Sequence, residues 1–386
     1  MNLSDIQEIH DAGLISEEQR RNIIDHFHLE HPRNRFLSIL VTLGGVLVLV
    51  GVILVISANW NSIPGAAKIA SGALLMCAAH FMGWKLRGAG ETPSKLSEVF
   101  HFIGAGLFLA NIALVGQVYH LSARTPNVFL LWLAGIVPLV WILRSVSIHI
   151  LSLCGLMIWI GTEINAHDGW FYSPSHVGQF AVYASVGLLL YGCGLFLKRT
   201  SYAALAESTE RAGVVFMHLG LWPLVVVGSQ AESMTTLIVM LIPAVAGLAL
   251  VASETRRLHE LTPQWRATWL AVLAGWLILA ALSFSFDTAP YHFYFAGNMG
   301  PLQALAAILI VAGCFVQMRV AEELRAPWMV NLAIVTTAFC FLATFGLLIG
   351  SMMNTGLVFL VGGAGILALG FWLEKKRRAV IQRINA

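Results

Sequence analysis

The stretch from Phe36 to Leu121 decides the fold. It begins with FLSILVTLGGVLVLVGVILVIS at residues 36–57, a run that contains no charged residue. Two further apolar segments follow at residues 66–86 and 96–118. Because about 20 consecutive apolar residues cross the hydrocarbon core of a bilayer as a helix, each segment predicts a membrane-spanning helix.

The composition extends this prediction to the whole chain. Of its 386 residues, 58% are hydrophobic and only 11% are charged, with a mean hydropathy of +0.77. Soluble domains carry about 25% charged residues, so most of this chain is predicted to have lipid as its solvent. The five cysteines lie within apolar runs and predict neither disulfides nor a metal site. No motif predicts a cofactor, and no basic tract predicts a nucleic-acid partner.

The remaining apolar runs bring the predicted number of spans to about twelve. The predicted spans are 36–57, 66–86, 96–118, 128–144, 147–164, 177–197, 211–228, 234–252, 267–285, 300–320, 327–350 and 355–374. The predicted fold class is all-α: a polytopic transmembrane helix bundle with a small N-terminal helical hairpin. Pro138, Pro223 and Pro243 fall within spans and are expected to kink them.

The first 35 residues are polar and predict the hairpin. Ser4-x-x-Gln7 and Ser16-x-x-Gln19 are capping-box patterns with Gly13 between them, which predicts helices at about 4–12 and 17–29. Two interpretations are open. The hairpin packs on the protein or the membrane surface, or residues 1–35 dock a cytoplasmic protein partner.

The basic residues predict the orientation. With twelve spans, both termini lie on one side, and that side holds every Lys and Arg that flanks a span except Lys68 and Arg124. The positive-inside rule then places both termini in the cytoplasm. We divide the chain into the hairpin at 1–35, a motif-bearing membrane region at 36–145 and a further bundle at 146–386, with membrane lipids as its surroundings.

Two short polar signatures follow the first and third spans on the opposite side. They are Asn59-Trp60-Asn61-Ser62-Ile63-Pro64 and Gly116-Gln117-Val118-Tyr119-His120-Leu121. Polar residues that are grouped in this way predict a binding site. The candidate substrate-binding residues, which would line an outward-opening cavity, are Asn59, Trp60, Asn111, Gln117 and His120.

Ionisable residues inside the spans are a second candidate. Glu98 and His101 lie three residues apart and share one face of the third span, and His80 lies on the second. A titratable group within a span is a functional-site hypothesis by default. Alternatively, Glu98 lies close enough to the cytoplasmic end to reach water. We assign no catalytic residue and no metal ligand.

The first 145 residues resemble a known bacterial family. The features that carry the resemblance are Gly13 to Gln19, Gly44 to Gly51, Ala58-Asn59-Trp60 with Ile63-Pro64, and Gly116 to Leu121. In order and spacing they are similar to the predicted membrane proteins catalogued as domain of unknown function 2157. The resemblance implies a multi-pass protein of the bacterial inner membrane, and it implies no activity or ligand.

Three functional hypotheses follow. The leading one is a transporter or flippase-like protein for an amphipathic or polar envelope molecule. The second is a structural or regulatory platform that docks a partner through residues 1–35. The third is a membrane enzyme that acts on a lipid-linked substrate at the outer face, with His120, Glu163, His167 or Asp168 as acid–base groups.

Overall fold

The computed structural model describes most of the apolar part of the chain. It describes residues 9–26, 60–87, 95–169, 176–226, 234–258, 260–282 and 301–347, positions 6 and 47, and short pieces between 363 and 378. The chain divides into two compact units, residues 1–70 and 71–386. The sequence-based division at 35/36 and 145/146 stays a prediction.

All regular secondary structure in these described ranges is helical. The α-helices are α1 (Glu17–His26), α2 (Gly65–Lys85), α3 (Lys95–Val118), α4 (Thr125–Leu143), α5 (Val146–Asn165), α6 (His176–Leu197), α7 (Ala206–Leu221), α8 (Pro223–Val226), α9 (Met234–Leu258), α10 (Pro263–Leu282), α11 (Pro301–Glu323) and α12 (Pro327–Leu347). Short 3₁₀ turns occupy Trp60–Ser62 and Ala203–Leu205.

Seven of the described helices are long and apolar enough to cross a membrane, namely α2 to α5 and α10 to α12. The all-α class of membrane protein is therefore confirmed. The count of about twelve spans stays a prediction. The predicted first span, 36–57, lies outside the described residues except for position 47, and most of the last, 355–374, lies outside them too.

The N-terminal unit contains the capping box that the sequence predicts at Ser16. The Ser16 amide donates to Gln19 Oε1 at 2.9 Å, and the Gln19 amide donates to Ser16 Oγ at 3.2 Å. Gly13 adopts the left-handed conformation expected of the turn, with φ 71°. The predicted first helix, at 4–12, is described only at residues 6 and 9–12, so the complete hairpin stays a prediction.

Side-chain contacts between connections gather several helix ends at one end of the 71–386 unit. Ser145, just before α5, donates to Glu98 near the start of α3 at 2.6 Å. Arg144 lies over the Tyr202 ring between α6 and α7, 5.4 Å from its centroid. These contacts place the start of α3 beside the α4–α5 and α6–α7 connections.

The same end continues into the second half of the chain. Lys198 pairs with Glu260 at 3.1 Å, and the Thr262 amide donates to Glu323 at 3.0 Å. We call this the basic end. Among the described residues, the Lys and Arg at this end include Arg144, Lys198, Arg199, Arg211, Arg256, Arg257, Arg266, Arg319 and Arg325. Arg124, which follows α3, lies at the opposite end.

Glycines allow α6 and α7 to pack closely. A Cβ atom on Gly213 would lie 2.4 Å from the Tyr191 amide nitrogen, and one on Gly187 would lie 2.5 Å from that of Met217.

Of the three prolines in predicted spans, Pro138 and Pro243 lie inside α4 and α9. Pro223 instead starts α8 after a turn at Trp222, which separates it from α7.

Candidate functional site

Two histidines meet between α2 and α3. The Nδ1 atoms of His80 and His101 lie 3.2 Å apart, and the ring centroids lie 5.5 Å apart. His101 is buried, and its Nε2 atom has no hydrogen-bond partner among the described residues. Both helices have the length and composition of membrane spans. The pair is therefore an ionisable site enclosed by two candidate spans.

Glycines shape the space that holds the two rings. A Cβ atom on Gly83 would lie 2.9 Å from the His101 ring, and one on Gly104 would lie 2.6 Å from His80 Nε2. Each helix thus presents a glycine to the histidine of the other. Any larger side chain at either position would push one ring away and separate the nitrogen atoms.

Glu98 lies one helical turn before His101 and binds a different element. Its Oε2 atom accepts hydrogen bonds from Ser145 Oγ at 2.6 Å and from the Ser147 amide at 3.0 Å. The carboxylate therefore caps the N-terminus of α5, where exposed amides and the helix dipole favour negative charge. This helix-capping contact is a structural reason for the presence of Glu98 in the span, and it needs no ligand.

Asn111 connects the same two helices farther along. Its Nδ2 atom donates to the Gly72 carbonyl at 3.1 Å and to the Leu107 carbonyl at 2.9 Å. Both donor hydrogens are thereby used, one within α3 and one in holding α3 against α2. Its side chain is half-buried in this interface.

The second polar signature forms the end of α3. The Leu121 amide donates to the Gly116 carbonyl at 2.9 Å, and His120 adopts the left-handed conformation with φ 51°. This six-residue closure is the Schellman motif, in which the left-handed position terminates the helix. Gln117 and His120 are both exposed. The signature thus has a local structural explanation.

The first signature lies partly outside the described residues, which exclude Asn59. Trp60 begins the 3₁₀ turn, and Lys68 Nζ lies 4.4 Å from the centroid of its ring. The predicted outward-opening cavity lined by both signatures stays a prediction.

The acidic groups proposed for catalysis are bound by one arginine. Arg124 donates to Glu163 Oε2 at 2.9 Å through its terminal nitrogen, and to Asp168 Oδ1 at 2.9 Å through Nε. The hydrogen bond to Glu163 raises the pKa of the Arg124 guanidinium, which stays protonated. This network ties the α3–α4 connection to the end of α5.

An apolar cavity of about 490 Å³ opens between α11 and α12. It is lined by Ala307, Ile308, Val311, Ala312, Phe315, Thr337, Cys340, Phe341 and Thr344. The wall is almost entirely hydrocarbon and suits an acyl chain. None of the predicted site residues contributes to it. Within the described ranges, no group of three or more His, Cys, Asp or Glu side chains could hold a metal ion.

The structure thus brings one of the predicted residues, His101, into a paired ionisable site. The other described candidates either have a local structural role or are exposed. His80 completes the pair. The sequence shows it as a polar residue within a span, but the contact depends on how α2 and α3 pack, which spacing along one helix does not give.

The described helices define the class, which is a helical membrane protein with several segments of spanning length. Residues 7–149 match the family model described as predicted membrane protein (DUF2157), which confirms the resemblance seen in the sequence. The match ends inside α5. Neither a curated protein nor a solved structure shows significant similarity to the chain.

Proposed function

We propose that this protein is a transporter of the bacterial inner membrane, flippase-like in action. It moves an amphipathic or polar envelope molecule, and its working cycle includes protonation of the His80–His101 pair. The observation that carries the proposal is the 3.2 Å separation of the two Nδ1 atoms within candidate spans.

Hydrogen bonding explains why such a pair responds to protons. At 3.2 Å, one Nδ1–H donates to the lone pair of the other Nδ1. When both rings are protonated, two N–H groups and two positive charges face each other and the contact breaks. Two charged groups act electrostatically on His101, namely Glu98 on its own helix and Arg87 after α2. Proton uptake would therefore loosen the packing of α2 on α3.

The connections between helices support a function inside the membrane. α3 and α4 are joined by residues 119–124, and α4 and α5 by residues 144–145. These connections leave no room for a catalytic domain outside the bilayer between residues 95 and 169. The apolar cavity between α11 and α12 supports an amphipathic substrate, because it accepts a hydrocarbon chain and offers almost no polar contact.

The basic end supports the predicted orientation. Contacts place the starts or ends of α3 to α7 and of α9 to α12 there, together with the nine Lys and Arg residues named above from the described part of the chain. The positive-inside rule assigns such an end to the cytoplasm.

Two further helices are long enough to cross the membrane. α6 and α9, with 22 and 25 residues, are about 33 and 37 Å long at 1.5 Å per residue. Their length supports more crossings than the seven candidate spans.

One observation favours a second candidate, the platform that docks a partner through residues 1–35. Leu14 is 75% exposed beside the Gly13 turn, and an exposed apolar side chain suits a docking contact. Deletion of residues 1–30 should then release a partner captured with the full chain.

The enzyme hypothesis has less support, because Arg124 already binds Glu163 and Asp168.

Reconstituted protein tests the proposal directly. Liposomes that contain the protein and a fluorescent NBD-labelled phosphatidylethanolamine are treated with dithionite, which bleaches only the outer leaflet, at pH 5.5 and pH 7.5. We expect faster loss of inner-leaflet fluorescence than in protein-free liposomes, with a rate that differs between the two pH values. His101→Gln and His80→Gln should each abolish this pH difference.

The matched control is His149→Gln, a histidine on α5 that contacts Thr209 Oγ1 at 2.8 Å. This variant should keep the pH difference of the wild type. Equal bleaching with and without protein contradicts the transporter, and a pH difference retained by His101→Gln contradicts the role of the pair.

A further inference from the structure

Two arginines at the basic end occupy a backbone conformation that arginine rarely adopts. Arg144 ends α4 with φ 51°, and Arg325 follows α11 with φ 52°. Each lies in a short connection between two consecutive candidate spans, at 144–145 and 324–326. Glycine is the usual residue at such a left-handed helix end, because it lacks the Cβ atom that makes the conformation unfavourable.

The environment of these arginines differs from that of their basic neighbours. Arg199 and Arg257 both pair with Glu254, and Arg319 pairs with Glu322. In the part of the chain that the structure describes, neither Arg144 nor Arg325 has a carboxylate partner. Both residues are exposed, and Arg144 lies over the Tyr202 ring.

The position of the two connections suggests what the guanidinium groups meet. Arg144 directly follows Leu143, the last residue of α4, and Arg325 lies two residues after Glu323, the last of α11. A residue just beyond the end of a membrane span lies at the level of the lipid headgroups. Arginine binds phosphate oxygens through two parallel N–H donors, whereas glycine offers none.

We propose that Arg144 and Arg325 bind the phosphate of anionic phospholipid headgroups at the basic end of the bundle. The two tight turns then hold their guanidinium groups at one depth, and Tyr202 supports Arg144 from the protein side. The proposal is independent of transport, because it concerns which lipid the protein binds and not what it moves.

A glycine substitution separates this role from the backbone conformation, and the comparison of two lipid compositions separates it from the helix dipole, which acts in both. In Arg144→Gly/Arg325→Gly the turns keep their favoured conformation, but the side chains are lost. Melting temperatures are measured in nanodiscs of phosphatidylcholine alone and in nanodiscs with 30% phosphatidylglycerol. We expect the wild type to melt at a higher temperature when phosphatidylglycerol is present, and the double variant to lose at least half of that increase.

Three controls make the outcome decisive. Arg144→Asn/Arg325→Asn should behave like the glycine variant, since asparagine also tolerates the left-handed conformation. Arg211→Gln, which removes a charge already paired with Glu207, should keep the full increase. Inorganic phosphate added to phosphatidylcholine nanodiscs should not reproduce the increase, and if it did, the source would be free phosphate and not lipid. An unchanged increase in both double variants would overturn the proposal.

Discussion

Ser145 Oγ lies 2.6 Å from Glu98 Oε2, so the carboxylate of one candidate span caps the start of another. Ser145 is itself the N-cap of α5 and accepts from the Ile148 amide at 3.2 Å. Glu98 also accepts from the Ser147 amide. Two residues that are far apart in sequence thus share the exposed amides of a single helix end.

This relationship predicts that Glu98→Ala destabilises the fold. The loss of a cap costs about 0.5–2 kcal/mol, and removal of the charge near the helix dipole adds to it. Glu98→Gln should cost less, because its amide oxygen still accepts from Ser145. Thermal unfolding in detergent measures both variants. Glu207→Gln, which removes an exposed carboxylate that pairs with Arg211 within one helix, is the control and should change little.

His120 provides a test between a local and a functional reading of the second signature. Its left-handed conformation predicts that His120→Gly stabilises the fold by up to about 1–2 kcal/mol, because the Cβ atom is lost, whereas His120→Val destabilises it, because a β-branched residue adopts this conformation less readily than histidine. If transport is measurable, His120→Gly should retain it. Loss of transport in a glycine variant that folds normally would instead restore His120 as a binding residue.

The part of the fold that could be predicted from the sequence is the part that depends on local chemistry. Apolar length predicted the helices, and the Ser16–Gln19 pattern predicted a capping box that the structure contains. Contacts between helices were not predictable in this way. His80 faces His101 only because Gly83 and Gly104 let the two rings approach, and no period along one helix encodes that match.

The difference between local patterns and contacts between helices also explains why the predicted binding residues do not form one site in the structure. Asn111, Gln117 and His120 lie close in sequence and are all polar, which suggested one site. In the structure Asn111 faces Gly72, whereas Gln117 and His120 are exposed at the helix end. A polar side chain in a span satisfies its hydrogen bonds on a neighbouring helix as readily as on a ligand, and sequence proximity does not distinguish the two.

Gly72 and Gly106 form a matched pair for testing the α2–α3 contact. A Cβ atom on Gly72 would lie 2.1 Å from Asn111 Oδ1, whereas one on Gly106 would meet nothing within 4 Å. Gly72→Ala should therefore destabilise the protein by about 1–3 kcal/mol. Gly106→Ala should stabilise it by about 0.5–1 kcal/mol, since alanine favours a helix. Thermal unfolding of both variants measures the difference, and equal melting temperatures would contradict the contact.

Glu210 predicts a pH dependence of stability at the basic end. It precedes the predicted span 211–228, and its side chain is 11% exposed. Lys198 Nζ lies 3.1 Å from Glu210 Oε1 and also 3.1 Å from Glu260 Oε2. Burial raises the pKa of Glu210 to about 7, and the shared Lys198 opposes this rise only in part.

The sign of the effect follows from where the proton is bound. Between about pH 4.5 and 7 the folded state holds a proton on Glu210 that the unfolded state has lost. Stability from this group is therefore greatest below pH 4.5 and decreases as the pH rises through 7. Glu210→Gln removes the titration, so its melting temperature should decrease less than that of the wild type between pH 5.5 and pH 8. Glu207→Gln, which alters an exposed carboxylate one turn earlier, should keep the wild-type decrease. Identical decreases in Glu210→Gln and the wild type would show that the buried carboxyl does not titrate in this range.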